Sequence, residues 1–263
     1  MSKIAWWALT LLFTFSWAKA AETQWLQEGE KLTYALSYFH IVAGTMALTA
    51  EPEEEVLRFT MTASSTPSFS RVFRVDNRIE SLLTRKPLSL LRQEVSVKEG
   101  KRSYHEVLTI DHNQGVAQRW RNNEEKDTVQ VPHPVLDTLG AIFAMRTLDL
   151  APGKAFSMDV ISGRAVYPLK IVVTGRQVLK LGNAKVKTLV VDPRFQDGGL
   201  YKRESKLTIF VTTDSRHLPV KIVSQLPFGS LVATLTEAVP PLQEGGTIFS
   251  SDTEVRKYGS QAR

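Results

Sequence analysis

Five histidines, His40, His105, His112, His133 and His217, are the first candidates for proton transfer or metal binding. They stand singly, and no two have the spacing that sets a pair of zinc ligands on one helix face, so no metal site is read. The chain has no cysteine, which removes thiolate nucleophiles, thiolate metal sites and any disulfide framework. Gly229-Ser230 lacks both the flanking glycine and the following helix of a nucleophile elbow. No glycine-rich phosphate loop or dinucleotide fingerprint occurs, so no cofactor is expected. Carboxylates remain. A paired-acid hydrolase needs no fixed sequence spacing between its two acids, and Asp76, Glu80, Asp137, Asp192 and Asp214 are available. Such residues more often cap, turn or pair, so no catalytic residue is assigned and a hydrolase stays a remote alternative.

Other residues suggest binding rather than reaction. Between Val160 and Val191 stand Arg164, Lys170, Arg176, Lys180, Lys185 and Lys187, with no acid among them. They read as cations protecting solvated strand edges, or as a basic surface drawn to an anionic membrane, at about 1 kcal/mol per charge. Arg74, Asp76, Arg78 and Glu80 alternate in sign along one strand face. That is a solvated row of cross-strand pairs, or a polar anchor if it faces a cavity.

Strands must position nearly all of these groups. Leu32, Tyr34, Leu36 and Tyr38 alternate with polar or small residues, Gly44 opens a second strand to Ala50, and Val56 to Ser64 is a third. Thr66 to Phe73 is read as a helical turn or a loop. Leu90–Val97, Arg102–Ile110 and Val116–Arg121 follow, with Asn122 to Asp127 as a polar turn. After residue 154 the pattern resumes: Ala155–Ile161, Ala165–Val173, a turn at Gly175, then Gln177–Leu181, Ala184–Asp192, Lys206–Thr212, Leu218–Gln225 and Ser230–Glu237. Further turns fall at Gly182-Asn183 and Gly198-Gly199. So many short strands at hairpin spacing predict a mainly β fold, a strongly curved antiparallel sheet or an open or half β-barrel.

The exception lies midway. Val135, Leu136, Leu139, Ile142, Phe143 and Met145 have the spacing of one helix face, Asp137 is placed to cap it, and Pro152-Gly153 to stop it. A central amphipathic helix over about 137–148 is therefore expected, its apolar side against the sheet.

Residues 1–20 read as a signal peptide: Lys3, an apolar run from Ile4 to Trp17, and the small-x-small site Ala18-Lys19-Ala20. The run falls short of the ~20 apolar residues a span requires. Cleavage after Ala20 and a periplasmic address are expected. Removing Lys3 and Lys19 takes 33 basic residues to 31 against 27 acidic, a net charge of +4, too small an excess to point to nucleic acid. Residues 21–238 are expected to form one β-rich domain or two β halves joined by the helix. Residues 239–263, with Pro240-Pro241 and Gly245-Gly246, read as a flexible tail.

Four stretches carry a resemblance. They are Gly29-Glu30-Lys31-Leu32-Thr33-Tyr34 followed by Ala43-Gly44; Arg74-Val75-Asp76-Asn77-Arg78-Ile79-Glu80-Ser81; the helix from Asp137 to Leu148 with Pro152-Gly153; and Ile209 to Lys221 leading to Phe228-Gly229-Ser230. With these, most of the chain after residue 20 resembles the exported bacterial DUF3108 family, a domain of unknown function. Val211 to Thr213, where an aspartate pair is more usual, and Gly140, where a serine is, depart from the pattern. More loosely, the hairpin around Asp214 and Leu218-Pro219-Val220 is similar to one in periplasmic lipoprotein carriers of the LolA and LolB type, which implies a curved sheet over an apolar cavity.

The resulting expectation is a non-catalytic envelope protein that binds or carries an apolar, lipid-like ligand. Its cavity would be lined by Tyr34, Leu36, Ile142, Phe143, Tyr167, Leu169 and Ile171, with Arg74 or Arg146 neutralising a head group. The alternative is that the same residues form a solid core and the protein works through its surface.

Overall fold

Among the described residues, alternating apolar and polar side chains form fourteen strands, all in one antiparallel sheet. The computed structural model describes residues 25–195, 207–226 and 229–240. The expected leader, the turn at Gly198-Gly199 and the tail beyond Pro240 lie outside the described residues.

The first half is a meander of β1 (Glu30–Tyr38), β2 (Ile41–Pro52), β3 (Val56–Ser65), β4 (Asp76–Arg85), β5 (Leu88–Glu99), β6 (Arg102–Asp111), β7 (Val116–Arg121) and β8 (Glu124–Gln130). The second contains β9 (Ala155–Ser162), β10 (Ala165–Leu181), β11 (Ala184–Phe195), β12 (Leu207–Thr212), β13 (Pro219–Leu226) and β14 (Gly229–Val239). Pairing of β1 with β14, from Lys31 opposite Val239 to Tyr38 opposite Leu231, fuses the halves, so β8 and β9 become the two edges. Single turns α1 (Trp25–Glu28) and α2 (Pro67–Ser70) accompany the eight-residue α3 (Thr138–Met145).

The sheet rolls up around α3. The linker ahead of that helix is extended and lies between two strands: Val135 O accepts from Leu90 N of β5 at 2.7 Å, Leu136 N donates to Asp159 O at 2.9 Å, and Ile161 N donates to Leu136 O at 2.8 Å. Buried Ser89 holds the same linker twice, accepting from Val135 N and donating to Val135 O. One extended segment thus separates β9 from β5, while β6, β7 and β8 continue past the junction. Linker pairing also satisfies backbone groups that the edge strand β9 would otherwise leave open.

Several expectations change. Val135 and Leu136 belong to this linker rather than to the helix, and α3 ends at Met145, with Arg146 as its C-cap. The helix is also not amphipathic: Leu139, Gly140, Ala141, Phe143, Ala144 and Met145 are all buried, since α3 touches β3, β4, β5 and β9. A helix enclosed by sheet has no wet face. Gly175 is a bulge inside the single long strand β10, not a turn, because a glycine accommodates the register shift. Gly44 lies within β2, where its backbone runs so close to the Ser64 carbonyl that a Cβ does not fit. The polar stretch after Asn123 is a strand, β8, whose edge position needs little apolar content.

Two buried polar groups fix α3. Asp137 caps it as expected, accepting from Gly140 N at 2.8 Å, and also accepts from Ser81 Oγ and Gln93 Nε2 of β4 and β5. At the other end Arg146 and Glu30 form a two-pronged ion pair, 2.6 and 3.1 Å, with both side chains essentially inaccessible. Arg216, in the turn after β12, adds a third contact to Glu30 at 2.8 Å and lends its carbonyl to Arg146 Nε. His217 Nδ1 lies 3.0 Å from the Arg146 carbonyl, and the buried Tyr34 hydroxyl donates to Pro219 O. Burial pushes that phenol's pKa well up, so it stays protonated.

Arg146→Met leaves the Glu30 carboxylate buried beside half its former partners. It should cost about 3–5 kcal/mol in urea denaturation. Glu30→Leu combined with Arg146→Met should cost less than that single change, because it strands no carboxylate. Burial raises the pKa of Asp137 in the folded chain. With the folded value above the unfolded one, this group's contribution to stability is fully present below the unfolded pKa and is lost as pH rises through the folded pKa. Asp137→Asn removes that dependence, so its melting temperature relative to the parent should fall as pH is lowered from 7 toward about 4.

Candidate functional site

The residues nominated as a cavity lining divide between interior and surface. Tyr34, Phe143, Leu169 and Ile171 are buried in one continuous hydrophobic cluster, with Leu36 packed against it. Phe143 stacks on Phe59 with ring centroids 4.1 Å apart and planes 8° from parallel. Ile142 and Tyr167 are half-buried, and Tyr167 meets Phe195 edge-on. The two arginines are far apart. Arg146 is committed to Glu30 at the start of β1, whereas Arg74 is exposed on the rim where β1 ends, about 27 Å away by strand rise. They cannot serve one head group together.

The acids considered for catalysis have separate structural partners. Glu80 pairs with Arg58 and Arg78 on a solvated strand face, and Asp76 lies 3.9 Å from Lys98, the cross-strand row expected of that stretch. Asp137 caps α3, Asp192 accepts from Thr208, and Asp214 accepts from Thr212 Oγ1 and Arg216 N in a turn. Folding does bring two of the scattered histidines together: His112 Nδ1 and His133 Nδ1 are 3.2 Å apart. Among the described residues no group of three potential metal ligands forms.

The rim at the C-terminal end of β1 is the more distinctive surface. A β1–β2 hairpin carries Phe39, Ile41 and Val42 at its tip, 62%, 65% and 53% exposed, with Phe39 and His40 at positive φ. Phe39 lies over Gly229 of β14, where it leaves no room for a Cβ. Next along the rim, Thr66 N donates to Ala43 O and begins the α2 turn, which presents Val72 and Phe73 at 84% and 46% exposure. Phe73 rests on Gly100 of the β5–β6 turn, and Gly100 N donates to Arg74 O. Where the end of β3, the α2 turn and the start of β4 meet opens a pocket of about 420 Å³ lined by Ser64, Ser65, Ser70, Arg71, Arg74, Val75 and Asp76. Sequence alternation set Arg74 in a charged row, read as a solvated face with a polar anchor as the alternative, and missed the apolar tips, because a strand pattern does not reveal which residues stand beyond the last rung of a hairpin.

Comparison with known proteins agrees with this architecture. A crystal structure of a beta-barrel-like protein of domain of unknown function DUF1849, from Brucella abortus, is similar with a TM-score of 0.57 and 10% sequence identity, over 80% of this chain and 96% of that one. At that identity the likeness concerns the fold alone. No curated protein matches. The family model of DUF3108, described as a protein of unknown function, matches residues 32–236. That span runs from the strand beside Glu30, through the buried helix, to the strand that closes on β1, and the chain belongs to the DUF3108 family.

Proposed function

We propose that this is an exported, non-catalytic envelope protein that works through its outer surface rather than by carrying a lipid inside the sheet. The observation behind this reading is how the nominated lining packs. Four of the seven apolar side chains that would line a lumen, Tyr34, Phe143, Leu169 and Ile171, pack into the core around a helix that is buried nearly all round. An acyl chain of ten methylenes gains about 8 kcal/mol on burial, but only where space exists to receive it. The apolar leader-like run ending at Ala18-Lys19-Ala20 supports export, and the five acids considered for catalysis are engaged in a cap, a turn, a cross-strand hydrogen bond and ion pairs.

The test is titration of the purified protein with a fluorescent fatty-acid probe, alongside cell fractionation. No saturable uptake, with the protein in the periplasmic fraction, is the expected result. Saturable uptake that Phe143→Ala abolishes or enhances severalfold would return the interior carrier, and retention in the cytoplasm would remove the envelope role.

A further inference from the structure

Five exposed apolar side chains, Phe39, Ile41, Val42, Val72 and Phe73, stand along one rim, on loops linked by the Thr66–Ala43 and Gly100–Arg74 hydrogen bonds. Aliphatic and aromatic side chains projecting from successive loop tips gain nothing in water, and a contiguous row of them marks a surface that is covered in use. The charges beside them specify the cover. Arg71, Arg74, Lys98, Lys101 and Arg102 are exposed on the same loops, against the carboxylates of Asp76 and Glu99. Asp76 is near Lys98, and Glu99 accepts from Asn77. Arg71 and Arg74 line the rim pocket together with Val75, Asp76 and the serines Ser64, Ser65 and Ser70, whose hydroxyls also bond within the protein. Two guanidinium groups at one recess suit a phosphate oxygen, and the apolar tips on the neighbouring loops suit the acyl boundary just below it.

We propose that this rim docks on an anionic phospholipid bilayer, with Phe39, Ile41, Val42, Val72 and Phe73 entering the interfacial layer and Arg71 and Arg74 holding lipid phosphates. The proposal rests on the reading that the protein acts in the envelope through its surface, and it names the surface and the partner. The geometry matches interfacial binding, in which apolar burial and attraction to anionic lipid act together. The basic run noticed in the sequence divides: Arg164 stands in the β9–β10 turn and pairs with Asp127, Lys170 lies within β10, and Arg176, Lys180, Lys185 and Lys187 cluster toward the β10–β11 turn, at the strand end opposite the rim, with Val178 as an exposed large apolar neighbour. That hairpin therefore serves as an internal control.

The experiment is co-sedimentation of the purified protein with vesicles of phosphatidylethanolamine and phosphatidylglycerol, and with vesicles of phosphatidylcholine alone. Binding to the anionic vesicles, weakened by salt and at least about tenfold poorer on phosphatidylcholine, is expected. Ile41→Ser with Val72→Ser should reduce binding about tenfold or more, and Arg71→Gln with Arg74→Gln should do the same most visibly at low salt. Lys180→Gln with Lys185→Gln should leave it within about twofold. Thermal melts verify folding; should the first variant melt early, the arginine pair carries the test. Absence of vesicle binding, equal binding to both lipids, or loss only in the Lys180/Lys185 variant overturns the proposal. The fatty-acid titration reads the interior separately, so a failure of docking and a failure of the surface-acting reading give different results.

Discussion

A buried ion pair, Glu30 with Arg146, joins parts of the chain far apart in sequence. Glu30 opens the strand at the middle of the sheet, Arg146 ends the internal helix, and the Arg216–His217 turn closes over both. Two opposite charges removed from water gain little net energy from each other, but either one alone in that place is very unfavourable. The pair therefore acts chiefly as a selector. Arrangements that bring α3 in at another height or rotation leave a guanidinium or a carboxylate uncompensated in apolar surroundings. At the opposite end of the same helix Asp137 imposes a matching condition on β4 and β5 through Ser81 and Gln93.

With both ends fixed, the sheet's curvature has a physical cause. The helix presents buried side chains over most of its circumference, and a sheet can satisfy that only by bending around it. Linker residues Val135 and Leu136 then hydrogen-bond to β5 and β9, which holds the roll without direct pairing of the two edge strands. Packing of the core around α3 is what turns the proposed role toward strand ends and outer faces. There the rim near Phe39 and Arg74 combines apolar tips with an excess of positive charge.

How much of this was legible in the sequence depends on the range of the interaction concerned. The strand alternation from Leu32 to Tyr38, the cap at Asp137 and the turn at Thr66 to Phe73 are local signals, and they stand where expected. Enclosure of α3 is not local. The spacing of Leu139 and Phe143 describes one apolar stripe, and nothing within eight residues shows that strands cover the other side as well. Gly175 looked like a turn because glycine serves both turns and bulges, and only the β11 register separates them. β8 was missed because EEKDTVQ has edge-strand composition without core periodicity. Glu30 and Arg146 are 116 residues apart, beyond any periodic signal, as is the approach of His112 to His133.

The seam between β1 and β14 bears on how the molecule must come into being. The first strand of the domain pairs on one side with β2 and on the other with the last strand. A nascent or threading chain thus keeps one flank of its central strand bare until nearly every other residue has emerged. Closing that seam requires contacts across some two hundred positions, the kind of long-range pairing that slows folding and leaves intermediates prone to self-association. The eleven-residue β14 is the piece on which that closure waits.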